Sequence, residues 1–440
     1  MKRQLLFLIK AFTALGTLFI FAVCNAYEIG MRALPHEDKG YYFTTSDGGS
    51  LIGEYERNHE RLTALALQCL YEANNSEGTL EKMPKDCADY KSIDTELSLF
   101  SNELTPSDAP LFKYRDLVSF VRWPDDPIRF IHKGGASAAT FGALIKQGCK
   151  KFFEDKTKAP SKTGIFNGGL FCVSHFGKLQ FLHSMATDFG EPPKQTRHLI
   201  WQWANYAFEL STSSTLWDEE YCDYWQNYPN SPEQRDLGEV MLEDSMLDDS
   251  PCNSGFNPYY YTNWFRPLFG YEKVDKYWQT WRLGITFNWS CTTLYGGAKL
   301  CPAFVDQQTK NRPKKIQSIQ MSALGSIIHM IQDSYANGHT ERDNSGLEPK
   351  VSLGRVIAFR TYLGQDKDKH AISDKWPTFD DVGPSVDPIT AVAKLVWLHN
   401  QVSQGKSVSN KYNVDSILQR VYGDVKETDE TAGPGRLYAE

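Results

Sequence analysis

The stretch 327-IIHMIQDSYANGHTER-342 sets His329, Asp333 and His339 into an otherwise apolar background. It continues a pattern in which Ile316, Ile319, Leu324, Ile327, Ile328 and Ile331 recur at helical spacing. That periodicity predicts a buried helix over 316–337, with Gly338 as its stop. Positions i and i+4 share a helix face, so His329 and Asp333 can reach one cation together. Beyond Gly338 the chain can turn back and bring His339 to the same place. An HxxxD pair alone is more often a surface hydrogen bond than a ligand pair. Its meaning therefore depends on the rest of the chain.

Three further segments read as helices: 59–73 (HERLTALALQCLYEA), 194–210 (KQTRHLIWQWANYAFEL) and 387–403 (DPITAVAKLVWLHNQVS), the last with Pro388 in its first turn. Strand signals are sparse, which predicts a mostly α fold. Residues 211–314 differ in character: they hold four cysteines, many aromatic residues and turn clusters such as YPNSPEQ and PCNSGFNPYYY. The expected organisation is a helical core over 27–210 and 315–425, a disulfide-stapled, aromatic-rich insertion over 211–314, and a flexible polar tail over 426–440. The Trp- and Tyr-rich stretches 201–228 and 259–288 are equally consistent with core packing and with a lipid-facing rim.

At the N-terminus, Lys2 and Arg3 precede an apolar run that ends in small residues at Ala26. This order is that of a cleaved signal peptide over 1–26, and it predicts a secreted or periplasmic protein. Loss of Lys2, Arg3 and Lys10 takes the formal charge from −7 to −10, which disfavours a nucleic-acid partner. Of nine cysteines, Cys24 leaves with the signal. The remaining eight suggest disulfides in sequential local pairs, 69–87, 149–172, 222–252 and 291–301. None has the short CxxC spacing of a zinc site, so metal ligation would fall to His and Asp. No GxSxG and no phosphate-binding glycine loop is present, which argues against a serine lipase and a P-loop enzyme.

The His and Asp inventory supplies more than one ion needs. HAISD gives a second HxxxD pair, His370 and Asp374; VRWPDDPIRF offers Asp125 and Asp126; QFLHSMATDF offers His183; and ERNHERLT offers His59 at a helix start. Several separated His/Asp groups suit two or three clustered zinc ions acting on a phosphate ester. The ordered set, HxxxD with a histidine ten residues after its first member and then a second HxxxD, resembles the trinuclear zinc superfamily. That superfamily contains the bacterial zinc-dependent phospholipases C and the fungal single-strand nucleases. WPDD resembles the nuclease segment in which Trp-x-Asp supplies a zinc-binding carboxylate, and LHSMATD resembles the short His-centred segment ahead of an aromatic helix. The motifs touch about half of the chain, which looks most like a larger secreted bacterial branch of the phospholipases C.

The resemblance implies roles position by position. His329, Asp333, His183 and Asp125 would hold the first zinc, with Asp125 also orienting or deprotonating the attacking water. His339, His370 and Asp374 would hold the second, and Asp333 would bridge toward a third with His59. In the family an N-terminal Trp chelates the third ion through its backbone. Here the expected mature terminus is Tyr27, thirty-two residues before His59, so that site departs from the pattern. His175 competes with His183, and Asp126 with Asp125; the family context favours His183. His399 sits among Val392, Leu395 and Val396 at helical spacing and reads as a packed histidine, and His36, His132 and His198 read as surface or packing residues. The implied activity is hydrolysis of a phosphatidylcholine-like glycerophospholipid by a monomer acting peripherally at a membrane surface. A nuclease or phosphomonoesterase of the same superfamily is the nearest alternative, and an exported non-enzymatic binding protein the more distant one.

Overall fold

A computed structural model describes residues 58–74, 80–92, 114, 116–125, 169–229, 234–242, 282–287, 292–293, 299–300, 312–343, 355–366, 369–370, 373, 387–426 and 430–439. The signal segment, Tyr27, His36, Asp126, His132, Asp374 and Cys149, Cys252, Cys291 and Cys301 lie outside the described residues. The fold is mostly α. In chain order the helices are α1 (Asn58–Ala73), α2 (Leu117–Phe120), α3 (Gly169–Phe176), α4 (Pro193–Thr212), α5 (Tyr221–Gln226), α6 (Leu237–Leu242), α7 (Arg312–Asp333), α8 (Pro388–Ser403) and α9 (Val414–Tyr422). Strand content among the described residues is two antiparallel pairs: β1 (Thr292–Thr293) with β2 (Lys299–Leu300), and β3 (Thr340–Asp343) with β4 (Arg355–Phe359).

Helix α7 runs through the middle, packed against α4, α2, α8 and α1, while α8 packs chiefly on α1. The apolar periodicity accounts for this: Ile319, Leu324, Ile327, Ile328 and Ile331 are all buried. Leu62, Leu65, Ala66 and Leu70 bury the matching face of α1. Helix α8 is buried from Pro388 to Gln401. It is capped by Asp387, which accepts hydrogen bonds from the Thr390 backbone N–H at 2.8 Å and from its hydroxyl.

Two expectations are corrected. Helix α7 ends at Asp333 rather than at 337, because the backbone switches to tighter i→i−3 bonding: Tyr335 N–H to Gln332 O, Ala336 N–H to Asp333 O and His339 N–H to Ala336 O. Gly338 is thus not the helix stop. A Cβ there would sit 2.3 Å from Ser373 Oγ and 3.2 Å from His370 Nδ1, so the glycine lets the His370 segment approach. Nor are residues 430–439 a loose tail. Ala432 pairs with Glu191 and Gly190, Gly433 O accepts from Thr361 N–H, and Tyr438 O accepts from Asp366 N–H.

Within 211–314, the described residues share the main core: Trp217, Tyr221, Trp225, Leu237 and Phe287 are buried in it. Trp123 packs on Phe287 at 4.6 Å between ring centroids. The aromatics left open between core and lipid rim are core at these positions. Cys69 and Cys87 form the expected disulfide, and Cys222 is disulfide-bonded as well.

Helices α7 and α2 approach closely at Gly325, where a Cβ would lie 2.4 Å from Phe120 O and 2.9 Å from Val121 N. Both atoms are backbone, so neither can swing away. Alanine is favoured over glycine inside a helix by about 1 kcal/mol. Even so, Gly325→Ala is expected to destabilise the protein by about 1–3 kcal/mol through overpacking. Urea unfolding of the two proteins measures this.

Candidate metal centre

Four segments converge on the C-terminal end of α7. The first turn of α1 brings His59, and the turns after α2 bring Asp125. The 3-10 turn Gln180–His183 brings His183, and α7 itself carries His329 and Asp333. His339 follows three short turns later. All six side chains are buried, none more than 2 % exposed.

The turn holding His183 is made by Ser184, the one non-glycine residue at positive φ (52°) among the described residues. An αL serine is strained. Here its hydroxyl donates to Met330 O at 2.7 Å and its carbonyl accepts from the Thr340 hydroxyl, which ties the turn to α7 and β3.

Hydrogen bonding decides which ring nitrogen each histidine presents. Nδ1 donates to Gln332 Oε1 in His59 (2.6 Å), to Val121 O in His329 (3.0 Å), to His183 O in His339 (2.6 Å) and to Gln365 Oε1 in His370 (2.6 Å). In the neutral imidazole this leaves a lone pair on Nε2. Second-partner fixation of this kind characterises metal-ligating histidines. His183 is the exception, presenting Nδ1 to the cluster.

The Nε2 lone pairs of His329 and His59 face carboxylate oxygens, whereas His183 Nδ1 is hydrogen-bonded to Asp333. His329 Nε2 lies 3.1 Å from Asp333 Oδ2 and 3.7 Å from Asp125 Oδ2. His183 Nδ1 lies 2.9 Å from Asp333 Oδ2, 3.8 Å from Asp125 Oδ1 and 3.0 Å from His329 Nε2. His59 Nε2 lies 3.3 Å from Asp333 Oδ1, an oxygen that accepts no hydrogen bond. Bonds of about 2.0–2.2 Å to one ion set neighbouring ligand atoms roughly 2.9–3.5 Å apart in octahedral or tetrahedral shells. The shorter observed separations fall in that range.

Protonation states agree. Burial, reinforced by His59, pushes His329 down to about 3. Burial likewise lowers His183, although Asp333 opposes it. Burial alone would raise Asp333, but His329, His339 and His59 around it reverse the effect and hold the carboxyl well below its ordinary range. At neutral pH His329 and His183 are therefore neutral and Asp333 is ionised, the forms a cation needs. Three overlapping groups can each hold a metal ion: His59–Asp125–His329, Asp125–His175–His183 and His183–His329–Asp333. A donor set rich in imidazole suits a transition metal rather than calcium or magnesium.

No family model, curated protein or solved structure matches this chain. The site is read from its own geometry.

That geometry brings His59, Asp125, His183, His329, Asp333 and His339 together. His370 stacks on His339, with ring centroids 4.9 Å apart, and so stands beside the cluster. His175 is not displaced by its rival: its Nε2 lies 3.7 Å from Asp125 Oδ1, so both histidines reach that carboxylate. Unforeseen were Gln332 and Gln365, the acceptors that orient His59 and His370. His399 is packed, paired with the Tyr114 hydroxyl at 2.8 Å and Ser211 O. His198 is held by Asp236 at 2.7 Å, away from the cluster.

Asp333→Asn keeps the shape and removes the shared charge. It is expected to lose at least one metal ion per chain by elemental analysis. It should also abolish the rise in melting temperature on adding metal to stripped protein, a rise worth about 4 kcal/mol at a thousand-fold excess over Kd.

Proposed function

We propose that this protein is an exported zinc-dependent phosphoric ester hydrolase, a phospholipase C acting peripherally on phosphatidylcholine-like glycerophospholipids. The observation that carries the reading is the set of imidazole lone pairs, fixed by Nδ1 hydrogen bonds, that face the Asp333 and Asp125 carboxylates. Lone pairs directed at carboxylate oxygens repel unless a cation lies between them. Two or three zinc ions held by His59, Asp125, His183, His329, Asp333, His339 and His370, with Asp374 and now His175, would polarise a phosphoryl oxygen and lower the pKa of water to about 7.

The chain's own residues then have definite tasks. Asp125 lies among His175, His183 and His329. There it would orient the attacking water and take its proton as the new phosphorus–oxygen bond forms. The bond from phosphorus to the glycerol oxygen breaks in the same displacement. The departing oxygen takes up a proton to give diacylglycerol, and the phosphorylated head group leaves. Gln332, the Val121 carbonyl and the His183 carbonyl hold His59, His329 and His339 in their ligating orientation, and burial of the cluster keeps bulk water from the reacting centre. The acidic net charge supports a lipid over a nucleic-acid substrate.

Parallel assays on phosphatidylcholine, single-stranded DNA and a phosphomonoester, with zinc-loaded and chelator-treated protein, test the reading. Zinc-dependent release of diacylglycerol is expected. His329→Ala should abolish it together with metal, and Asp125→Asn should lower kcat by about 10²–10⁴-fold. Cleavage of DNA or the monoester alone would reassign the substrate. Purified protein without zinc, inert on all three, would leave a non-enzymatic binding protein.

A further inference from the structure

A second concave site stands apart from the histidine cluster. The outer face of α4 and the chain 219–229 border an open groove of about 600 Å³, within the size range of small-molecule sites. Part of its wall is aromatic. Tyr206, Tyr224 and Tyr228 line it, with 5.8 Å between the ring centroids of Tyr206 and Tyr224 and again between Tyr224 and Tyr228.

The rest of the wall is acidic. Glu209, Glu219, Glu220 and Asp223 line the same pocket, and among the described residues no lysine, arginine or histidine does. The carboxylates act on one another and on the phenols. Burial and then Asp223 raise the Glu220 carboxyl, with Arg282 opposing. Burial first, with the charges of Tyr228, Glu209 and Glu219, raises the Tyr224 phenol.

These features select a ligand class. A negative pocket concentrates cations. A strongly hydrated inorganic ion would gain nothing from aromatic walls and would leave most of this volume to water. A weakly hydrated cation with apolar bulk gains from both, since its charge meets the carboxylates and its methyl groups meet the ring faces. We infer that this pocket binds an organic cation of the quaternary-ammonium class. The assignment does not rest on the metal centre, because no residue of the histidine cluster lines the pocket.

The test is calorimetric titration of the full chain, stripped of metal, with tetramethylammonium, methylammonium and calcium chlorides. Tetramethylammonium is expected to bind more tightly than methylammonium. Glu209→Gln combined with Asp223→Asn, both at exposed positions, should weaken it about tenfold. Tyr228→Leu should remove the preference for the methylated ion while leaving the circular dichroism unchanged. No heat with tetramethylammonium would overturn the inference. So would equal binding of the two ammonium ions, unaltered affinity in the acidic double variant, or displacement by calcium showing a plain electrostatic patch. Because phosphoester hydrolysis is not read, failure here and failure of the proposed activity remain distinguishable.

Discussion

A carboxylate that keeps its charge in a fully buried position must be surrounded by groups that stabilise the charge, because desolvation costs several kcal/mol. Asp333 accepts a hydrogen bond from His183 Nδ1, and a cation held among histidines from three other parts of the chain would supply the rest. His59 comes from the start of α1, His183 from a strained turn, and His339 from beyond the end of α7. The packing of α7 on α1, α2 and α4 can be understood as the scaffold that delivers these rings. Gly325 permits the contact with α2 that leads into Asp125. Gly338 permits the contact that sets His370 beside His339.

Much of this was legible in the sequence where the signal is local. Helical periodicity located α1, α4, α7 and α8 to within a few residues, since their buried faces are continuous runs of apolar side chains. The i, i+4 spacing identified His329 and Asp333, because helix geometry alone places them together. Features that depend on distant partners were not legible. Val121 serves through its carbonyl, which carries no side-chain signature. Gln332 and Gln365 are common residue types whose role exists only once α1 and the His370 segment have docked. The end of α7 lies four residues before the expected one because a change from α to tighter turns needs no glycine, and Ser334 and Asn337 are residue types that favour caps and turns.

The histidines also show why residue type is weak evidence of role. His399 lies on α8 with both ring nitrogens held, by a tyrosine hydroxyl and a backbone carbonyl, and nothing is left for a ligand. His329 has one nitrogen held by a carbonyl and the other turned toward two carboxylates. Both are buried and both sit on helices. The second nitrogen distinguishes them, and its surroundings are set by chain segments far away in sequence.

The pairing of residues 430–439 with the loops after His183 and β4 has a consequence for how the molecule is made. Gln365 holds His370 while donating to Gly338 O and Pro434 O. A ribosome emits the segment containing Pro434 long after His59, so the growing polypeptide passes through a period in which His370 is present but Gln365 still lacks one of its two carbonyl anchors.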